Sequence, residues 1–437
     1  MKSQSYLGFD VILFIAVLSL ICIGILFIYS SGITSTGDNV SNEYIKQIFS
    51  ALVGIIILLF VAFSNYNRLK DYALYAYLFF LLLLVFTLFF GKKVNGARSW
   101  ISIGPLHIGQ PSEFMKIITI LMLASFLDNN QNTIQTLRTL VKAAFLVFIP
   151  FCLILLQPDM GTALVFLPIF YSMTFISGAK TRYLLFSIFI GFITITLGLL
   201  PIWESHFYDG SFWLSRILSN TKLFWAVYGA VLLIELISII GYFVYKHRYY
   251  YWISYCVSIF AISLPLSNLI SKFLKDYQIM RFMVFLDPYV DPKGTGWNII
   301  QSMTAVGSGG IFGKGFLKGT QSHYRFLPQQ STDFIFSILA EEWGFAGCMI
   351  TLLLFAIILY RGFRIMLNAK DFFGMAVAVG IVSIIFFHLI INIGMAIGIM
   401  PITGIPLMFL SYGGSSLWTG LIGIGLLLNI YLRKYRY

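Results

Sequence analysis

The chain alternates between long apolar runs and shorter polar connections. A bilayer core needs roughly 20 apolar residues per helix. Runs that reach or approach this length lie near residues 8–30, 46–64, 71–91, 112–128, 139–157, 160–177, 182–202, 223–245, 250–271, 335–360, 373–398 and 405–431. They predict an all-α, polytopic membrane protein of about twelve transmembrane helices. Six connections are short and basic: Asn67-Arg68-Leu69-Lys70, Arg138 to Lys142, Lys180-Thr181-Arg182, Lys246-His247-Arg248, Arg361 to Lys370 and Arg433-Lys434-Tyr435-Arg436. They are every second connection, so the inside-positive bias places both termini in the cytoplasm. The other side carries the irregular stretches 31–45, 91–111, 203–222 and 272–333, and loops of that length are often functional. Residues 203–275 read as an inserted two-helix unit within a single membrane domain. Two added crossings leave the sidedness of everything after them unchanged.

Composition agrees with the pattern. Of 437 residues, 59% are hydrophobic and only 11% charged, too little charge to solvate a globular surface of this size. The formal net charge of +12 does not point to nucleic acid, because the basic residues form short clusters between apolar runs. That is the distribution of topology signals and lipid-headgroup contacts. Cys22, Cys152, Cys256 and Cys348 all lie inside apolar runs without CxxC spacing, which predicts neither a disulfide nor a metal knuckle. The first run lacks a small-residue cleavage site and reads as a retained span.

Candidate chemistry sits where polar residues interrupt the pattern on the long-loop side. In Asn95-Gly96-Ala97-Arg98-Ser99-Trp100 and Gln110-Pro111-Ser112-Glu113-Phe114-Met115-Lys116, Pro111 suits a first helical turn. Glu113 and Lys116 then share one helix face. The pair reads equally as an anchoring ion pair and, with Arg98, as part of a cavity that receives phosphate. In Gln157-Pro158-Asp159-Met160-Gly161-Thr162, Pro158 ends one helix and Asp159 caps the next; a substrate contact from Gln157 or Asp159 is the other reading. The stretch Gly307-Ser308-Gly309-Gly310-Ile311-Phe312-Gly313-Lys314-Gly315 has the glycine density that lets backbone N–H groups approach a ligand. It is not a Walker A loop, which needs Ser or Thr where Gly315 stands and Gly where Ser308 stands.

Residues 272–333 hold seven basic residues, Lys314 and Lys318 among them, against four acids. An anionic ligand such as a lipid pyrophosphate accounts for that excess, and solvated loop lysines are the plainer reading. Asp333 stands where the polar loop becomes apolar helix, as a helix cap or as a carboxylate at the membrane rim. Glu341 and Glu342 would follow roughly 12–14 Å deeper on the same helix, forming an acidic track. Met400-Pro401-Ile402-Thr403-Gly404-Ile405-Pro406 predicts a tight turn. The small residues of Ser411-Tyr412-Gly413-Gly414-Ser415-Ser416 predict close helix packing, and an unwound site facing a cavity is the other reading.

Taken in order, five stretches resemble the SEDS family of bacterial shape, elongation, division and sporulation proteins. They are Gln110-Pro111-Ser112-Glu113 with Lys116, Gln157 to Thr162, and Asp291-Pro292-Lys293-Gly294 with Gly296. Thr332-Asp333-Phe334-Ile335-Phe336 with Glu341-Glu342, and Ser411 to Ser415, complete the set. Gly313-Lys314-Gly315 with Gly319-Thr320-Gln321-Ser322, and Thr403, look more like the RodA branch than the FtsW branch. There are two departures: the hairpin near 223–271 adds to the family's ten-helix core, and the segment around His107 is one residue longer.

The resemblance implies a peptidoglycan glycosyltransferase that polymerises lipid II at the outer face of the cytoplasmic membrane. It implies Asp333 as catalytic base and Arg98, Gln110, Ser112, Lys116, Gln157, Asp159, Lys314 and Lys318 as substrate-binding residues, with Glu113, Glu341 and Glu342 in support. No cofactor follows with certainty; a divalent cation could share the pyrophosphate, although the sequence contains no ligand cluster for one. Implied partners are lipid II, the growing glycan, membrane lipids and a single-span class B penicillin-binding protein, a PBP2-like transpeptidase. A lipid II flippase and a non-catalytic scaffold of the elongation machinery are the alternatives.

Overall fold

A computed structural model describes residues 9–94, 97–103, 106–207, 213–273 and 276–433. Asn95, Gly96, Lys275, residues 434–436 and the side chain of His107 lie outside the described parts. In chain order come α1 (Val11–Ser31), α2 (Glu43–Phe63) and α3 (Tyr66–Phe90), then strands β1 (Lys92–Val94), β2 (Ala97–Ile103) and β3 (Leu106–Gly109). Next are α4 (Pro111–Asn129), α5 (Leu137–Leu156), α6 (Met160–Leu164), α7 (Phe166–Ile176) and α8 (Thr181–Phe207). They are followed by α9 (Trp213–Ser219), α10 (Thr221–Tyr245), α11 (Arg248–Phe273), α12 (Asp276–Leu286) and α13 (Thr295–Ser308). The last are α14 (Thr320–His323), α15 (Ile335–Leu367), α16 (Phe372–Ala396) and α17 (Gly414–Arg433).

Each of the twelve apolar runs contains helix. Among the described residues ten helices are long and apolar enough to cross a membrane; α4, with Glu113, Lys116 and Asp128, and the broken pair α6–α7 are not among them. Three expectations are corrected. The described parts of 91–111 are not irregular: 92–94, 97–103 and 106–109 pair in an antiparallel sheet of order β1-β2-β3. The loop 272–333 contains α12, α13 and α14. The last run becomes helix only at Gly414, because 401–413 are held in turns by side chains described below.

The chain divides into two compact units, Met1–Ala179 with Asp291–Tyr437, and Lys180–Val290. In the first, polar contacts gather the predicted basic connections at one end. Lys70 pairs with Asp128, Tyr66 with Asp371, and Arg361 with Asp10 at 2.6 Å, while Arg433 donates to the Ser64 carbonyl at 2.5 Å. Burial, and then the hydrogen bond from its own hydroxyl to Asp371, push the Tyr66 phenol up from its ordinary value. Asp10 and Asp371 also cap their helices, accepting from Leu13 N at 3.1 Å and Gly374 N at 2.6 Å. In the second unit Glu235 of α10 accepts from Ser254 and Ser258 of α11 at 2.7 and 2.9 Å. Leu197, Phe224 and Leu264 form the core of that unit.

Outward faces are apolar, as lipid requires: Phe60, Phe90 and Phe243 are each more than 70% exposed. Helix association therefore rests on close packing rather than on apolar burial. α17 lies against α2 so tightly that a Cβ on Gly425 would stand 2.8 Å from the Leu58 carbonyl. Gly425→Val is expected to cost about 1–3 kcal/mol and to lower the thermal midpoint of the detergent-solubilised protein. Gly229→Val, where a Cβ meets nothing within 4 Å, should leave the midpoint much closer to wild type.

Candidate active site

Asp333 is half-buried at the end of the first unit opposite the basic connections. The capping expectation is corrected: Phe334 occupies the N-cap of α15 and makes no side-chain cap bond, so Asp333 lies one residue ahead. Its backbone is fixed from both sides. Its N–H donates to the Gln329 carbonyl at 3.2 Å, and its carbonyl accepts from Asn392 Nδ2 at 2.9 Å. The same amide donates to the Ile405 carbonyl at 2.9 Å. Asn392 is fully buried four residues before the end of α16, which recesses Asp333 by about one turn, or ~6 Å. A Cβ on Gly404, whose φ is +74°, would lie 3.6 Å from Asp333 Oδ2. The carboxylate therefore faces the turn 401–406.

One turn earlier on α16, His388 Nδ1 lies 2.8 Å from the Pro406 carbonyl. A carbonyl only accepts, so Nδ1 carries the proton and Nε2 is an acceptor for Lys116 Nζ at 3.4 Å. Lys116 also pairs with Glu113 at 2.8 Å. Ser112, Lys116 and His388 are all almost wholly buried. A polar thread thus runs from α4 through α16 to the turn that Asp333 faces.

Of the other motifs, two reach this turn or the residue after it, at Gly161 and at Ser411. Asp159 caps α6, accepting from Thr162 N at 3.1 Å, and takes Gln110 Nε2 at 2.6 Å. Gln157 is buried and donates to the Leu84 carbonyl at 2.9 Å and Thr87 Oγ1 at 3.0 Å. Gly161 has no side chain, which lets the Thr403 carbonyl approach α6. Ser411 Oγ accepts from Leu407 N at 2.9 Å, Tyr412 N donates to the Ser331 carbonyl at 2.8 Å, and Ser415 Oγ accepts from Gln110 N at 3.1 Å. The 411–416 stretch is a polar junction as well as a packing face. Burial, and then the charge of Glu43, push the Tyr412 phenol up from its ordinary value, so it stays neutral at physiological pH.

The acidic track is corrected. α15 breaks at Gly344 (φ 63°, ψ −160°), and residues 335–342 before the break are all buried. Large apolar side chains become exposed only from Phe345 onward. The 23 residues 345–367 measure about 34 Å at ~1.5 Å per residue, a full crossing without the arm. Glu341 and Glu342 therefore belong to the arm. Glu341 Oε1 accepts from Lys314 Nζ, Thr320 Oγ1, Thr320 N and Gln321 N at 2.8–3.0 Å. Glu342 accepts from Ser30 Oγ and from Leu317 N at 3.2 Å. Both side chains are fully buried, so neither lines a passage.

The glycine-rich stretch repairs the break. Lys314 N and Gly315 N donate to the carbonyls of Glu341 and Glu342, while Phe345 N and Ala346 N donate to Gly310 and Ile311, all at 2.9–3.0 Å. A Cβ on Gly309 or Gly313 would collide with the Ala340 or Glu342 carbonyl. The glycines therefore serve the approach of one backbone to another. Lys314 is held by Glu341, whereas Lys318 and, on β2, Arg98 are exposed. Beside Ser331 opens a cleft of about 410 Å³ lined in part by Ser31, Glu43, Arg325, Gln329 and Gln330. Asn392, His388 and Arg325 were not singled out in the sequence. The first two were visible there as polar residues four apart inside an apolar run. Among the described residues no three His, Cys, Asp or Glu side chains gather as metal ligands would.

The chain matches the FtsW, RodA and SpoVE family, described as cell cycle proteins, over residues 11–219 and 227–436. The peptidoglycan glycosyltransferase RodA of Treponema pallidum (strain Nichols) is 46% identical over 99% of this chain and 100% of its own. Stage V sporulation protein E of Bacillus subtilis (strain 168) is 35% identical over 96% of each chain. Among solved structures, a chain from a peptidoglycan synthase complex that coordinates polymerization and crosslinking matches with TM-score 0.68 at 28% identity. That match covers 99% of this chain and 100% of the other.

Glu341→Ala removes the acceptor of four hydrogen bonds, each unsatisfied buried donor costing about 1–3 kcal/mol. Limited proteolysis should then cut within 314–323 and the thermal midpoint should fall. Glu341→Gln, which keeps an acceptor oxygen, should lose less.

Proposed function

The chain belongs to the FtsW, RodA and SpoVE family, and from that premise we propose that it is a RodA-type peptidoglycan glycosyltransferase polymerising lipid II. It works at the outer face of the cytoplasmic membrane, with both termini inside, and serves cell elongation. The observation that carries this reading is the assembly of distant motif stretches around one recessed carboxylate, Asp333, beside an open cleft.

The chemistry follows from that placement. The acceptor sugar's hydroxyl attacks the anomeric carbon of the lipid-linked sugar. The new carbon–oxygen bond forms as the bond to the diphosphate oxygen breaks. Asp333 accepts the hydroxyl proton, a contribution of roughly 10²–10⁴-fold. Attack from the face opposite the leaving group inverts the anomeric carbon and needs no covalent enzyme intermediate. The departing diphosphate needs cations. Arg98 and Lys318, exposed, and Arg325, on the cleft wall, fit that role best. Lys116 and Lys314 each share their charge with a glutamate, so their share in substrate binding is smaller. Gln110 and Asp159 act by fixing the start of α6, which meets the turn at Gly161, and Gln157 by tying the end of α5 to α3, while Ser112 is buried in the first turn of α4. A divalent cation, if used, arrives with the diphosphate. The glycan product calls for a crosslinking partner, a class B penicillin-binding protein. Three of the basic connections, 67–70, 361–370 and Arg433, are tied by polar contacts at one end of the first unit, which supports the orientation.

The test is purified protein with labelled lipid II, alone and with its penicillin-binding partner. Wild type should build glycan chains, and Asp333→Ala should lose at least ~10²-fold in rate while binding the partner normally. Equal polymer from both proteins would remove Asp333 from the mechanism.

A further inference from the structure

We infer that the second unit carries a binding site for a phosphate-bearing headgroup, occupied by an anionic phospholipid of the adjoining leaflet. The site is built by a two-residue turn. α10 ends at Tyr245, Lys246 adopts a left-handed conformation (φ 54°) with its N–H on the Tyr242 carbonyl at 3.0 Å, and α11 begins at Arg248. The turn sets Lys246 and Arg248 close together, and the first turn of α8 adds Arg182. A cavity of about 300 Å³ is lined by these three cations with Tyr242, Tyr251 and Trp252.

Arg182 is already oriented. It donates to the Tyr251 hydroxyl at 3.2 Å, its guanidinium lies 5.8 Å from that ring's centre, and its own carbonyl accepts from Tyr255 Oη at 2.7 Å. An arginine has five N–H donors in a planar fork that matches phosphate oxygens, and the tyrosine takes one. The ion pairs found among the described residues join Lys70, Lys116, Lys314, His323 and Arg361 to acids. None of them uses Arg182, Lys246 or Arg248. Three like charges around one small cavity repel one another, and an anion between them reverses the sign. A topology signal alone requires neither a shared cavity nor an arginine fixed in place.

The walls select a lipid over a free anion. Tyr242 and Trp252 are 42% and 47% exposed, amphipathic rings of the kind that sit at headgroup level. Below them the outward face of α10 is apolar through Phe243, Ile240 and Ile237, each at least half exposed. Acyl chains can therefore run down the helix while the phosphate stays with the cations. On this account the α10–α11 hairpin fixes one end of the second unit to a charged leaflet.

The experiment is native mass spectrometry of the full chain titrated with phosphatidylglycerol or phosphatidylcholine. Wild type should prefer phosphatidylglycerol, and the triple variant R182Q/K246Q/R248Q should lose that preference by about fivefold per charge removed (about 1 kcal/mol each). The variant R138Q/K142Q, altered at another basic connection, should keep it. If the triple variant does not fold, as judged by gel filtration, Arg248→Gln alone is read instead, with about a fivefold loss expected. Equal loss in the triple and R138Q/K142Q variants would mean general surface charge and overturn the site. Glycerol phosphate binding as tightly as the lipid would overturn the lipid as occupant.

Discussion

The amide nitrogen of Asn392 donates to two backbone carbonyls, those of Asp333 and Ile405, deep among helices where water cannot substitute for it. Backbone groups left unpaired in such surroundings cost several kcal/mol each, so one side chain fixes how the loop before α15 meets the turn before α17. His388, four residues earlier on α16, holds the next carbonyl of that turn. Through Lys116 and Glu113 it joins α4 to the same arrangement. The position of the Asp333 carboxylate is a consequence of these bonds.

A second constraint acts from the other side of Asp333. The break at Gly344 separates a buried arm from a membrane-length helix, and a break in a helix leaves carbonyls and amides to satisfy. The glycine-rich stretch supplies partners for both by pairing its own backbone with 341–346. The two glutamates then clamp its far side. Glycine density, paired acids and a lysine look like ligand chemistry in a one-dimensional reading. In three dimensions most of them are spent on holding a loop, and Arg98, Lys318 and Arg325 are among the cations left exposed.

Much of this was legible in the chain. Apolar run length alone located every long helix, and alternating basic connections sorted the two ends of the first unit. The cap at Asp159 and the i,i+3 pair Glu113–Lys116 were local features and could be read locally. The sheet at 92–109 was not, because seven-residue and shorter strands in a polar loop carry little periodic signal. The helix break was hidden, because Gly344 is a single glycine within a run long enough to read as one helix and only its φ reveals it. Asn392 was passed over for a related reason: its partners lie 59 and 13 residues away, and nothing at its own position announces them. Long-range hydrogen bonds between a side chain and a backbone carbonyl leave no spacing rule to follow.

Glycan synthesis from a lipid-linked sugar at the outer face requires the recessed carboxylate to open on that side of the membrane. Asp333→Cys, in a chain whose four native cysteines are replaced, can be probed in sealed right-side-out vesicles with a membrane-impermeant thiol reagent. Labelling from outside, slower than for a cysteine placed at exposed Lys318, is the predicted result. Labelling only after the vesicles are opened would contradict it.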